Sequence, residues 1–79
     1  MDMMDSDGIR ARIEKDIAMF ENSVSSVKAA GDAQNRIIEM SKLYARDSRS
    51  YLEKGDYYTS FSCISYAHGL LDAIKGLSE

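Results

Sequence analysis

The stretch YLEKGDYY, at residues 51–58, predicts a tight corner between two helices. Lys54 suits the last turn of a helix, because its charge lies at the negative end of the helix dipole. Gly55 suits the left-handed position that follows a helix, and Asp56 can cap the next helix. Because a short corner joins antiparallel neighbours, this stretch predicts two helices packed side by side.

The rest of the chain divides into segments of helical length. The sequence of 79 residues contains five glycines and no proline, so no proline forces a helix to end early. Gly31 separates a first segment from a second. We therefore predict an all-α fold, a three-helix up-and-down bundle forming one domain over residues 1–79. The predicted helices cover about residues 7–29, 33–54 and 57–75.

Each predicted helix carries apolar residues at helical spacing. The stripe of the first helix is Ile9, Ile13, Ile17, Phe20, Val24 and Val27. The main stripe of the second is Ile37, Met40, Tyr44, Ser48 and Tyr51, widened by Ile38, Ala45 and Leu52. One face of the third is Tyr58, Phe61, Ile64, His68, Leu71 and Ile74. Because Tyr57 and Tyr58 are adjacent, we expect one of them to be exposed.

Folding about the corner also predicts specific contacts. Tyr44 of the second helix should lie beside Tyr66 of the third. Gly69 lies inside the third helix, where glycine costs about 1 kcal/mol relative to alanine. We therefore expect another backbone to approach Gly69 closely.

Composition and charge limit the classes of function. The net charge is −3, whereas dedicated nucleic-acid binders carry a basic excess that contacts phosphate. A single cysteine, Cys63, fits a reducing compartment. The first residues are acidic, unlike a secretory signal, and no apolar run is long enough to span a bilayer. We expect a cytoplasmic protein with neither a membrane nor a nucleic acid as its partner.

The reactive side chains form no complete catalytic or metal-binding set. A zinc site needs three or four ligands, and the sequence has one histidine and one cysteine. His68 is the only candidate base for a Ser–His–Asp arrangement, and no strained nucleophile turn accompanies it. We therefore expect no enzymatic activity, no catalytic residue, no metal and no cofactor.

One group of polar side chains is a candidate cluster. His68 and Asp72 are four residues apart on one helix face, which suits a histidine oriented by a carboxylate. Asp47 can accept a hydrogen bond from a tyrosine hydroxyl or from His68. The candidate cluster comprises Tyr44, Asp47, Tyr66, His68 and Asp72. The alternative is a partly buried histidine satisfied by Asp72 or by a side chain of the second helix.

Three cations recur on the second helix, namely Lys42, Arg46 and Arg49, at positions i, i+4 and i+7. This face could contact phosphate or RNA. The alternative is an ordinary solvated face, since Glu39 and Glu53 lie nearby.

Two strings in the predicted second and third helices resemble a known family. The first reads Y-x-x-D-x-x-x-Y-L-x-x-G-D over residues 44–56, and the second reads YAHGLLDA over residues 66–73. Together they resemble the archaeal family catalogued as domain of unknown function 357, whereas the first helix matches only in length and apolar pattern. The resemblance implies an archaeal, cytoplasmic three-helix bundle, similar in shape to the immunoglobulin- and albumin-binding bacterial domains. It implies no activity.

The sequence therefore favours a non-enzymatic helical interaction module that docks an unidentified protein partner or a second copy of itself. Its five tyrosines support this expectation, because exposed tyrosines favour interfaces. The alternative is a small-molecule or nucleotide-binding accessory domain. In that case the candidate cluster would hold the ligand, and Lys42 or Arg46 would hold its phosphate.

Overall fold

The structure, a computed structural model, describes residues 6–78 as three α-helices packed in a bundle. Helix α1 spans Ser6–Val24, α2 spans Asp32–Glu53 and α3 spans Tyr57–Ser78. The predicted all-α three-helix bundle is confirmed. The expectation about the acidic first residues, 1–5, lies outside the described residues. Within the described part of the chain, no helix is both long and apolar enough to cross a membrane.

Contacts between the helices give their directions. Tyr44 contacts Tyr66, and Ser48 is bonded to Ser60, so residue numbers rise along α2 as they fall along α3. The first turns of α1 lie beside the first turns of α3, so these two helices run in the same direction. The order is therefore up, down and up, and the bundle is elongated, at 47 × 21 × 15 Å.

All three helices contribute buried apolar side chains to one core. These are Ile13, Ile17, Phe20, Ile38, Ala45, Leu52, Ile64, Ala67, Leu71 and Ile74. Burying one large aliphatic or aromatic side chain contributes about 1.5–3 kcal/mol. The rest of the predicted stripe also packs partly buried against this core, with Ile9 and Val24 in α1 and Val27 beyond its end.

The core face of α2 is not the face predicted as its main stripe. Its buried residues are Ile38, Ser41, Ala45, Ser48 and Leu52, whereas Met40 is exposed and Tyr44 is half-buried. The reason is steric. Three small residues, Ser41, Ala45 and Ser48, face the core, so the bulkier side chains of α2 lie at the edges of its core face.

A reciprocal pair of serines joins α2 and α3. The Ser48 hydroxyl donates to the Ser60 carbonyl oxygen at 2.7 Å, and the Ser60 hydroxyl donates to the Ser48 carbonyl oxygen at 2.7 Å. The two hydroxyl oxygens are 3.1 Å apart, but both protons already point to carbonyls. Both side chains are fully buried, so these bonds satisfy polar groups that would otherwise be costly.

Helix α1 ends five residues before the predicted limit, at Val24 instead of residue 29. Serine hydroxyls explain the early end. The Ser25 hydroxyl donates to the Asn22 carbonyl at 2.8 Å, and the Ser26 hydroxyl donates to the Ser23 carbonyl at 2.9 Å. These local bonds compete with the helical backbone pattern, so the chain leaves the helix within its serine-rich stretch.

The corner between α2 and α3 has the predicted conformation. Gly55 lies in the left-handed region, with φ +82°. The Asp56 amide donates to the Tyr51 carbonyl at 3.0 Å, and the Gly55 amide donates to the Leu52 carbonyl at 3.1 Å. This is the Schellman pattern of a helix C-terminus. An Asp56 carboxylate oxygen then accepts from the Thr59 amide at 3.1 Å, so Asp56 caps α3 as predicted.

The expectation for Gly69 is wrong. Gly69 is exposed, and a Cβ added there would meet no atom within 4 Å. No backbone among the described residues approaches it, because Gly69 lies on the side of α3 that faces away from α1 and α2. The helix therefore carries the cost of this glycine without a compensating contact.

Candidate functional site

The five residues of the candidate cluster do not lie together. Tyr44 and Tyr66 do meet, with ring centroids 4.6 Å apart and ring planes at 77°, as folding about the corner predicts. His68 lies on the opposite flank of α3, because positions two apart on a helix point about 200° apart. Asp47 and Asp72 are exposed, and neither accepts a hydrogen bond from the described residues. The predicted cluster therefore combined residues of the α2–α3 contact with a residue of the α1–α3 contact.

His68 joins α3 to α1. Its Nε2–H donates to the backbone carbonyl of Asp16 at 3.0 Å, and the acceptor fixes the tautomer because a carbonyl oxygen cannot donate. The imidazole also meets the Phe20 ring edge-on, with centroids 5.7 Å apart. Its partners are thus on α1, and neither Asp72 nor a side chain of α2 satisfies it. These contacts hold α3 against α1.

Cys63 is a weak nucleophile in this setting. Burial raises the pKa of the Cys63 thiol, and the nearby carboxylates of Asp47 and Asp56 raise it further. Since the thiolate is the reactive form, a raised pKa makes this thiol a weaker nucleophile at neutral pH. Among residues 6–78, no three His, Cys, Asp or Glu side chains form a group that could hold a metal ion.

A groove of about 640 Å³ lies between the first turns of α1 and α3. We call it the α1–α3 groove. Its lining residues are Gly8, Ile9, Arg12, Ile13, Tyr57, Tyr58 and Phe61. Tyr58 is 85 % exposed and Phe61 is 45 % exposed, so these two members of the predicted α3 stripe lie outside the core. Tyr57 is half-buried, so the expectation that one of the adjacent tyrosines is exposed is confirmed.

The lining of the α1–α3 groove has an unusual composition for a surface. Among the described residues, its lining includes three aromatic rings, two isoleucines and one arginine, and no lysine, aspartate or glutamate. The Arg12 side chain is exposed and has no hydrogen-bond or ion-pair partner among the described residues. Nothing in the spacing of the sequence marks Arg12. The signal for the groove was the density of aromatic residues at the start of α3.

Other large apolar side chains of α2 and α3 are also exposed, namely Met40, Leu43 and Tyr66. Tyr66 contacts Tyr44 across the two helices. We call this set of exposed residues the α2–α3 seam.

The three cations that recur on α2, Lys42, Arg46 and Arg49, line a smaller groove between α1 and α2. This α1–α2 groove has a volume of about 320 Å³. Its lining residues are Phe20, Glu21, Val24, Lys42, Ala45, Arg46 and Arg49. All three cations are exposed, and they edge a depression whose floor is apolar.

These features define a small all-α domain whose first helix forms one wall of two different grooves. The chain belongs to the family described as protein of unknown function (DUF357), whose model matches residues 13–78. The match begins within α1, so it extends beyond the α2 and α3 strings on which the resemblance rested. A comparison with curated proteins gives no match. The family description names no activity, and function has to be argued from the two grooves.

Proposed function

We propose that this domain is a non-enzymatic interaction module that docks a protein partner in the α1–α3 groove. The observation that carries the proposal is the lining of that groove, with its aromatic rings, its isoleucines and Arg12. Cores of protein interfaces are enriched in aromatic residues and arginine and depleted in lysine, aspartate and glutamate. The groove has this composition, although the chain as a whole is acidic.

The exposure of the aromatic side chains supports a protein over a small ligand. Tyr58 is 85 % exposed and stands at the rim of the groove. A small molecule inside the groove would leave most of this ring in water. A protein segment lying across the groove would cover both Tyr58 and Phe61 and remove their apolar area from solvent, at about 25 cal/mol per Å².

The charge at the rim specifies the chemistry of the partner. Arg12 has no carboxylate partner among the described residues, and arginine pairs well with carboxylates in two-point contacts. The partner segment therefore presents apolar side chains to the groove and an aspartate or glutamate to Arg12. An amphipathic helix with an acidic edge meets both requirements. The single cysteine supports a cytoplasmic setting for this interaction.

A displayed library of helical peptides tests this proposal. Selection against the protein should enrich peptides with apolar anchors and acidic residues. Phe61→Ser should then weaken binding by about 2 kcal/mol or more, which is roughly 30-fold, because truncating a central aromatic contact has this effect. The matched control is Tyr66→Ser, which removes an exposed ring from the α2–α3 seam and should leave the affinity unchanged.

Two results would contradict the proposal. One is a set of peptides whose binding survives Phe61→Ser but is lost in Tyr66→Ser. The other is a dimer in light scattering that Phe61→Ser dissociates, which would make a second copy of the chain the occupant. Circular dichroism of each variant separates loss of binding from loss of folding.

A further inference from the structure

We propose that the α1–α2 groove binds a small ligand that carries a phosphate group. This site involves the last turns of α1, whereas the α1–α3 groove involves its first turns, and it does not depend on the docking function proposed above. The two grooves share no lining residue.

The shape of the groove suits a small ligand. Phe20 and Ala45 are buried beneath it, and half-buried Val24 completes an apolar floor. The volume of about 320 Å³ falls at the lower end of the range for ligand pockets. An apolar floor edged by charged groups can hold the body of a ligand while its charged end faces the rim.

The charge of the rim favours an anion. Among the described residues, Lys42, Arg46 and Arg49 line the groove together with a single carboxylate, that of Glu21. The groove thus concentrates positive charge on a chain whose net charge is −3. Arginine and lysine are the side chains that bind phosphate, arginine through its planar fork and lysine as a point charge.

The cations are available to a ligand. Arg49 pairs with Glu21 at 3.3 Å and Lys42 pairs with Glu39 at 3.0 Å, and all four side chains are largely solvent-exposed. Exposed pairs of this kind contribute only about 0–1 kcal/mol, so a phosphate can replace either carboxylate at low cost. Arg46 has no hydrogen-bond or ion-pair partner among the described residues, so a phosphate can bind its guanidinium without displacing a carboxylate.

The carboxylates around the groove favour a compact ligand over a nucleic-acid strand. Glu39 lies one turn before Lys42, and Glu53 lies one turn after Arg49. A strand that continued along α2 would bring its phosphates against these carboxylates at both ends. A single phosphate, or a short run of phosphates, can instead sit among the three cations.

Titration of the isotopically labelled protein, followed by amide NMR, tests the site. Inorganic pyrophosphate and ATP are the two probes. Both should cause saturable shifts confined to amides near residues 20–24 and 42–49. Tighter binding of ATP would assign the apolar floor to the nucleoside, and equal binding would assign the site to phosphate alone; either result supports the proposal.

Three variants with the same change of charge on α2 distinguish binding at this site from a general electrostatic effect. Arg46→Glu should weaken pyrophosphate binding at least tenfold, and Lys42→Glu should do the same. Arg36→Glu, at an exposed position of α2 outside the groove, should leave binding within about twofold. Thermal melts of each variant verify that it is folded.

The proposal is overturned if neither probe causes saturable shifts, or if Arg36→Glu weakens binding as much as Arg46→Glu. It is also overturned if a single-stranded RNA binds more tightly than ATP and shifts amides beyond Glu39 and Glu53. None of these results bears on the α1–α3 groove, so failure here leaves the docking function untouched.

Discussion

Ser48 and Ser60 show how small polar side chains can occupy the middle of a helix interface. Each hydroxyl donates to the carbonyl of the facing residue, so neither polar group is left unsatisfied. Serine is a weak helix former in isolation because its hydroxyl competes for backbone groups. Here that capacity is directed across the interface, where it links the two helices.

Replacing Ser48 tests this view. Ser48→Ala removes one interhelical hydrogen bond and should lower the free energy of unfolding by about 1 kcal/mol. Ser48→Val should cost about 1–3 kcal/mol, because the extra methyl groups do not fit a packed interface. Urea denaturation measures both effects. Ser50→Ala, at an exposed position of the same helix, is the control and should change stability little.

A Ser48→Val variant as stable as the native protein would contradict this account, because it would show that the interface can accommodate the extra methyl groups. An unchanged stability of Ser48→Ala would show that the buried hydroxyl bonds contribute nothing net.

Residue contacts could be predicted only where the chain fixes the register. The meeting of Tyr44 and Tyr66 follows from the tight corner at Gly55, which leaves α2 and α3 little freedom to slide. The partner of His68 depends on α1, which is joined to α2 by the longer connection 25–31. That connection leaves the position of α1 open, so the contact with Asp16 could not be read from the sequence.

At the scale of elements, Gly69 lowers the stability of α3, and no contact among the described residues offsets this cost. Gly69→Ala should raise the free energy of unfolding by about 0.5–1 kcal/mol, because alanine favours the helix and meets no atom there. The temperature midpoint of unfolding should rise accordingly. Gly55→Ala is the opposite case and should destabilise, since φ there is +82°.

A lower stability of Gly69→Ala would contradict this account, because it would mean that the added methyl group meets an atom in the folded protein. Gly55→Ala adds the same methyl group with the opposite expected effect, so it shows that a gain in Gly69→Ala is specific to that position.

Helix positions were predictable where local chemistry decides them. The α2–α3 corner depends on a few adjacent residues, and its lysine, glycine and aspartate are sufficient signals. The end of α1 and the core face of α2 depend on competition. Serine hydroxyls compete with the helix at Ser25 and Ser26, and small residues compete with Met40 and Tyr44 for the core face.

At the scale of the whole molecule, α1 contributes to two grooves that differ in their chemistry. The α1–α3 groove is aromatic and carries one arginine, whereas the α1–α2 groove carries three cations above an apolar floor. His68 holds α1 between them through its bond to the Asp16 carbonyl. The placement of one helix therefore determines both grooves.

Mapping the protein with an apolar probe tests the central claim, that the α1–α3 groove is the docking surface, without knowledge of the partner. Phenol is titrated into the labelled protein while amide NMR spectra are recorded. The account predicts that the largest shifts cluster at residues 8–13 and 57–61 and disappear in Phe61→Ser. The largest shifts along the α2–α3 seam, near Met40, Leu43 and Tyr66, would contradict it.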